Sequence, residues 1–193
     1  MKFKAIFVDA GGVLIINKAK EVGERYEKEF GLTKEISRDI FHFLHLKHRN
    51  EEELVEYLRI KRVEPMVWKR FTEDFYKSEG RNDELYEQLK EFRAQGVKII
   101  LTTNSGRGAI DVLKKHGASD ILDGVVTSAE VGFVKPQPEF WQTGYGEAQK
   151  LVPEILPKEI LVIDDSLENC KSAKLFGFGV IKYGGGKVHL IVS

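Results

Sequence analysis

Short apolar runs rich in β-branched residues punctuate this chain, and they decide what it can fold into. They read "AIFV" at 5–8, "VKIIL" at 97–101, "GVVT" at 124–127, "ILVI" at 160–163 and "FGVI" at 178–181. Contiguous apolar runs of this length, without polar alternation, describe strands buried on both faces, as in parallel sheets. Between the later runs lie amphipathic stretches with helix punctuation. "NDELYEQLKEFRAQG" opens on Asn82 or Asp83 and stops at Gly96, and "RGAIDVLKKHG" stops at Gly117. Strand and helix alternating in this way predict βαβ units, hence an α/β fold: a Rossmann-like parallel sheet with helices on both faces.

The first strand breaks the alternation. Some eighty residues separate it from the next strand, and they read as helix after helix: "NKAKEVGERYEKEFG", "NEEELVEYLRI" with an Asn50 to Glu53 capping box, and "EPMVWKRFTEDFYKSEG" with Pro65 in a first turn. A segment this long is no loop. Residues 16–80 are therefore expected to form a small all-helical cap seated over the sheet, with 1–15 and 81–193 as the α/β core. Phe41, Phe43, Trp68, Phe71 and Phe75 recur at helical spacings and are expected to form the insertion's own core.

An open α/β sheet binds its ligand at the carboxyl ends of its strands. The first run leads into Asp9, the second into Thr102, Thr103, Asn104 and Ser105, and the fourth into Asp164 and Asp165. After the short third run, "EVGFVKPQPEF" carries Lys135. Three carboxylates, hydroxyls and an ammonium thus converge on one rim. Carboxylates gathered so closely repel one another unless a cation neutralises them, and an oxygen-only set suits Mg²⁺. Lys135 and the N–H groups opening the "SGRGAIDVLKK" helix add positive potential beside it, which suits a phosphate.

These segments, "IFVDAGGVL", "IILTTNSG", "VGFVKPQPEFW" and "LVIDDSLENCKSAKLFGF", resemble in order the four motifs of the haloacid dehalogenase (HAD) superfamily, whose commonest members are Mg²⁺-dependent phosphatases. A helical insertion after the first motif is where that family carries a cap. The resemblance implies that Asp9 is a nucleophile forming an aspartyl-phosphate. It implies Mg²⁺ held by Asp9, the Gly11 carbonyl and Asp165, with Asp164 ligating directly or through water. Thr103 and Asn104 then serve the phosphoryl group, and Lys135 pairs with both nucleophile and phosphate. The family's phosphatases usually read Asp-x-Asp-Gly where this chain reads Asp9-Ala10-Gly11-Gly12. The second Asp supplies a general acid/base worth about 10²- to 10⁴-fold in rate, and Gly11 cannot. Three repairs stay open: a leaving group that departs unaided, such as an anomeric sugar phosphate or an acyl phosphate; a proton donor from the "FHFLHLKHRNEEE" stretch; or slow turnover to the point of a binding protein. The family's dehalogenases also lack that Asp, but their fourth motif does not resemble "DDSLEN".

Lys plus Arg and Asp plus Glu are 30 each, a balance that favours neither nucleic acid nor a polybasic membrane contact. No apolar run approaches the roughly 20 residues that span a bilayer. The N-terminus lacks a signal peptide's apolar region, and the single cysteine, Cys170, has no internal partner, so a cytoplasmic address is expected. Cys170 is expected to be a small buried hydrophobe, and "YGGGK" at 183–187 a flexible exit rather than a phosphate loop. His42, His45 and His48 do not share one helix face, which favours substrate contact over structural zinc. Substrate identity and oligomeric state are not written in the sequence. The reading is a Mg²⁺-dependent HAD-like hydrolase, a phosphatase of a small phosphorylated metabolite, with a catalytically weak regulatory or binding protein as the alternative.

Overall fold

The structure is a computed structural model that describes residues 3–16, 19–46, 50–105 and 108–185. In chain order its elements are β1 (Ala5–Val8), β2 (Ile15–Ile16), α1 (Ala19–Phe30), α2 (Lys34–Leu46), α3 (Glu51–Ile60), α4 (Pro65–Lys77), β3 (Gly80–Arg81) and α5 (Asp83–Ala94). They continue as β4 (Lys98–Thr103), α6 (Gly108–Lys115), β5 (Gly124–Thr127), α7 (Ser128–Val131), α8 (Pro138–Leu151), β6 (Ile160–Asp164), α9 (Leu167–Phe176) and β7 (Gly179–Lys182). Two compact units result: Met1–Ile16 with Arg81–Ser193, and Asn17–Gly80.

The first unit carries the five-stranded parallel sheet, in the order β5-β4-β1-β6-β7. Strand residues alternate between its faces, as the pleat requires. Ile6, Val8, Ile99, Leu101, Leu161 and Ile163 bury one face with Leu85 and Leu89 of α5 and Leu113 of α6. Ala5, Phe7, Ile100, Ile160 and Val162 bury the other with Phe140, Trp141 and Ala148 of α8 and Ala173 of α9. This is the α/β Rossmann-like architecture expected from the alternation of runs and helices. From β1 the chain builds outward through β4 and β5, then crosses back to place β6 on the other side of β1. The topological switch point, where open α/β sheets bind ligands, therefore lies beside the end of β1. Register sharpens this: Val8 sits opposite Leu101 on one side and Ile163 on the other. The next residues along, Asp9, Thr102 and Asp164, therefore stand at one level near the carboxyl ends of their strands.

The second unit has its own core of Val22, Tyr26, Leu32, Ile40, Leu58, Val63, Trp68 and Phe71, with Phe41 and Phe75 packed against it. Phe43 stacks instead on Tyr57, rings 4.0 Å apart and nearly parallel. Local chemistry fixes its helices. Asn50 accepts from the Glu53 N–H while the Glu53 carboxylate accepts from the Asn50 N–H, and Pro65 opens α4 where its missing N–H costs nothing. A two-stranded pairing of β2 with β3, too short for periodicity to reveal, joins the chain on either side of this unit. His48 and residues 186–187 lie outside the described residues, as do the side chains of His42 and His45. Among the described residues, no helix is long and apolar enough to cross a membrane.

Candidate active site

Asp9 is the first residue beyond β1, and its N–H donates to the Ile163 carbonyl at 3.0 Å, so its backbone is still held by the sheet. The chain then turns tightly: the Gly12 N–H donates to Ile15 O and the Ile15 N–H to Ala10 O, both at 2.8 Å. Asn82, the N-cap of α5, fastens this turn by donating its Nδ2 to Val13 O at 2.7 Å and its backbone N–H to Leu14 O at 2.9 Å. Asp164 closes β6, and Ser166 behind it caps α9, with Asp165 between strand and helix.

Lys135 ties these ends together. Its ammonium donates to Asp9 Oδ1 at 2.8 Å, to the Thr102 carbonyl at 2.8 Å and to Asp164 Oδ2 at 2.7 Å. All three of its N–H groups are thus committed, and its side chain is 1% exposed. Burial alone would pull a lysine down, but the flanking Asp9 and Asp164 carboxylates outweigh it and hold Lys135 above its ordinary value. Burial pushes the Asp9 carboxyl up to about 6; Lys135 opposes this, and the Asp164 charge adds to it. Asp164 is fully buried and accepts from the Ser166 N–H at 2.9 Å and from Asn169 Nδ2 at 3.0 and 3.1 Å. By contrast Asp9 Oδ2 takes no hydrogen bond among the described residues, leaving it open for chemistry.

Carboxylate oxygens of Asp9, Asp164 and Asp165 lie within 4.8 Å of one another, and Asp165 is exposed. Burial and the Asp164 charge raise the Asp165 carboxyl, the mark of acidic groups short of positive partners. Three carboxylates against one ammonium leave a deficit of two positive charges, with oxygen donors only, which suits a hard divalent cation. The two glycines after Asp9 differ sharply. A Cβ on Gly12, whose φ is +80°, would lie 2.5 Å from Asp165 Oδ2, whereas a Cβ on Gly11 meets nothing within 4 Å. Thr103 ends β4 nearly buried, its hydroxyl without a hydrogen bond among the described residues. The Asn104 side chain binds the backbone of Lys135, a pairing that spacing along the sequence cannot foretell. Cys170 is buried beneath the site, its Sγ 3.5 Å from the Asp164 carbonyl, and burial pushes its thiol up.

Known proteins share this architecture. A HAD family enzyme from Bacteroides thetaiotaomicron, solved as a magnesium complex, superposes with a TM-score of 0.75 at 21% identity, over 97% of this chain and 96% of that one. A predicted HAD-like family hydrolase from Porphyromonas gingivalis gives a TM-score of 0.73 at 22% identity, over 97% and 94%. In sequence, the chain is 32% identical over 112 residues to a probable pseudouridine-5'-phosphatase of Saccharomyces cerevisiae, a match spanning 54% of this chain and about half, 48%, of that protein. The haloacid dehalogenase-like hydrolase family profile matches residues 3–177, nearly the whole described chain. With that match, and with Asp9, Thr103 and Asp164 at the switch point of the sheet and the Lys135 ammonium bonded to both carboxylates, the chain belongs to the haloacid dehalogenase-like hydrolases.

Proposed function

We propose that this hydrolase is a Mg²⁺-dependent phosphatase of small phosphorylated metabolites that works through an aspartyl-phosphate on Asp9. The observation that carries the reading is the state of the Asp9 carboxylate: one oxygen is gripped by the Lys135 ammonium, and the other takes no hydrogen bond among the described residues. Nucleophilic attack in line with a leaving oxygen needs this combination of fixed aim and a free lone pair. The yeast relative's name and the magnesium complex of the Bacteroides enzyme agree with it.

Asp9 Oδ2 attacks phosphorus, the bond from phosphorus to the leaving oxygen breaks, and an acyl phosphate remains on Asp9. Water then attacks that phosphorus, releasing inorganic phosphate and restoring the carboxylate. Thr103 offers its hydroxyl to a phosphoryl oxygen. Lys135 holds Asp9 in place and offsets the charge that gathers there. Asp9, the Gly11 carbonyl and Asp165, with Asp164 close behind, would hold Mg²⁺, which would supply electrostatic stabilisation of the phosphoryl oxygens. Asp164 supports the site from within, since its oxygens already take the Lys135, Asn169 and Ser166 hydrogen bonds.

Gly11 has no side chain to protonate the leaving oxygen, and that favours substrates whose leaving group departs without a proton, such as anomeric sugar phosphates and acyl phosphates. The same gap is what favours the second reading, a phosphate-binding regulatory protein with little turnover. Phosphate release across a panel of good and poor leaving groups, with and without Mg²⁺, separates the two. Release that needs Mg²⁺, is confined to good leaving groups and vanishes in Asp9→Asn supports the phosphatase. No Asp9-dependent release from any compound makes the binding protein the better account.

A further inference from the structure

We propose that Asn104 is a positioning residue: its carboxamide grips both polar groups of the Lys135 backbone and thereby sets where the Lys135 ammonium reaches. Asn104 Nδ2 donates to the Lys135 carbonyl at 2.8 Å, and the Lys135 N–H donates to Asn104 Oδ1 at 2.7 Å. One side-chain amide thus closes a two-bond ring on a single residue, as a neighbouring strand residue would. Lys135 needs such a substitute because it lies between the end of α7 at Val131 and the start of α8 at Pro138, where no ladder holds the chain. Other groups pin its neighbours. Val134 and Gln137 bond each other at 2.8 Å through the Gln137 side chain and backbone. The Pro136 carbonyl accepts from the Ser172 hydroxyl, which in turn accepts from Trp141 Nε1.

The consequence follows from the saturation of the ammonium. A lysine with three committed N–H groups and a 1% exposed side chain cannot make up for a displaced Cα by choosing another rotamer. Fixing the Lys135 peptide therefore fixes the aim of Asp9. Asn104 itself stands at the end of β4, one residue beyond Thr103, so the strand that carries the phosphoryl-facing hydroxyl also sets the lysine. This contact takes one Nδ2 hydrogen and one Oδ1 lone pair of the carboxamide.

The kinetic consequence rests on the phosphatase reading; the geometric one does not, and two measurements keep them apart. The first uses ¹⁵N-labelled lysine and follows the ζ-ammonium resonance of Lys135, whose protons exchange slowly because they are buried and hydrogen-bonded. In Asn104→Ala this resonance is lost to fast exchange, while amides of β1 and β6 keep their protection. An unchanged resonance overturns the proposal whether or not the protein turns over. The second is a double-mutant cycle of Asn104→Ala with Lys135→Met, read by phosphate release. Asn104→Ala alone lowers kcat by about 10²-fold with KM little changed, and adds nothing once Lys135 is gone. Losses that multiply, or that fall on KM, mean that Asn104 binds substrate directly, and the proposal fails. If no variant, wild type included, releases phosphate, the phosphatase reading falls and the ammonium resonance still decides the role of Asn104.

Discussion

Two adjacent glycines behind the nucleophile do opposite things. Gly12 is required by its surroundings: its φ of +80° belongs to the left-handed region, and a Cβ there would meet Asp165 Oδ2 at 2.5 Å. Gly12→Ala is expected to destabilise the protein by about 1–3 kcal/mol through backbone strain and to push Asp165 away from Asp9. The check is a thermal melt beside a Mg²⁺ titration by calorimetry, in which the variant binds more weakly than wild type. Gly11 is free of such demands, since nothing lies within 4 Å of a Cβ built on it. The Gly11 position therefore has room for a Cβ, and Gly11→Asp adds a carboxyl group two residues beyond Asp9. It is expected to raise turnover of poor leaving groups by about 10²- to 10⁴-fold, and of good ones far less. A uniform effect on both classes would show that proton transfer to the leaving group is not what Gly11 withholds.

At the scale of elements, the sheet is fastened at its outer side by Asp123, just before β5. Its side chain accepts from Arg93 of α5 at 3.1 Å and from the Ile99 N–H of β4 at 3.0 Å, with Lys98 beside it. Burial would raise the Asp123 carboxyl, but the Arg93 and Ile99 hydrogen bonds outweigh it and hold it below the usual carboxylate range. A carboxyl lowered by folding contributes stability above its unfolded pKa and loses that contribution as pH falls through the folded value. Asp123→Ala is thus expected to cost about 2 kcal/mol at pH 7, measured by urea unfolding, with the gap to wild type closing as the pH drops below about 4. This tie shows what a sequence carries and what it does not. The strands, the Asn50 capping box and the Asp9, Thr103 and Asp164 strand ends are legible because burial and capping are local rules, repeated at short spacing. The Asn104 grip on Lys135, the Asn82 anchor on the turn after Asp9 and the Asp123 tie join residues 24 to 69 positions apart. Polar residues in such places look like ordinary turn or surface positions until the fold brings them together.

For the whole molecule, the question is whether the Asn17–Gly80 unit is needed for the other to fold. Each unit has its own apolar core. Every strand of the parallel sheet, and every described residue named in the Asp9 site, lies in Met1–Ile16 with Arg81–Ser193. The pairing of β2 with β3 sets Ile15–Ile16 beside Gly80–Arg81, so a short turn can bridge the gap left by the insertion. Replacing residues 17–79 by a short glycine-containing turn is therefore expected to leave a cooperatively folding α/β protein. Circular dichroism with thermal unfolding tests that, and Mg²⁺ calorimetry tests whether the carboxylate cluster survives. The insertion by itself is about 60 residues, a size at which burial only just offsets chain entropy, so it is expected to melt well below the intact protein. If the shortened chain instead fails to fold while the isolated insertion is stable, the dependence runs the other way. The helical unit would then act as the scaffold on which the sheet is built.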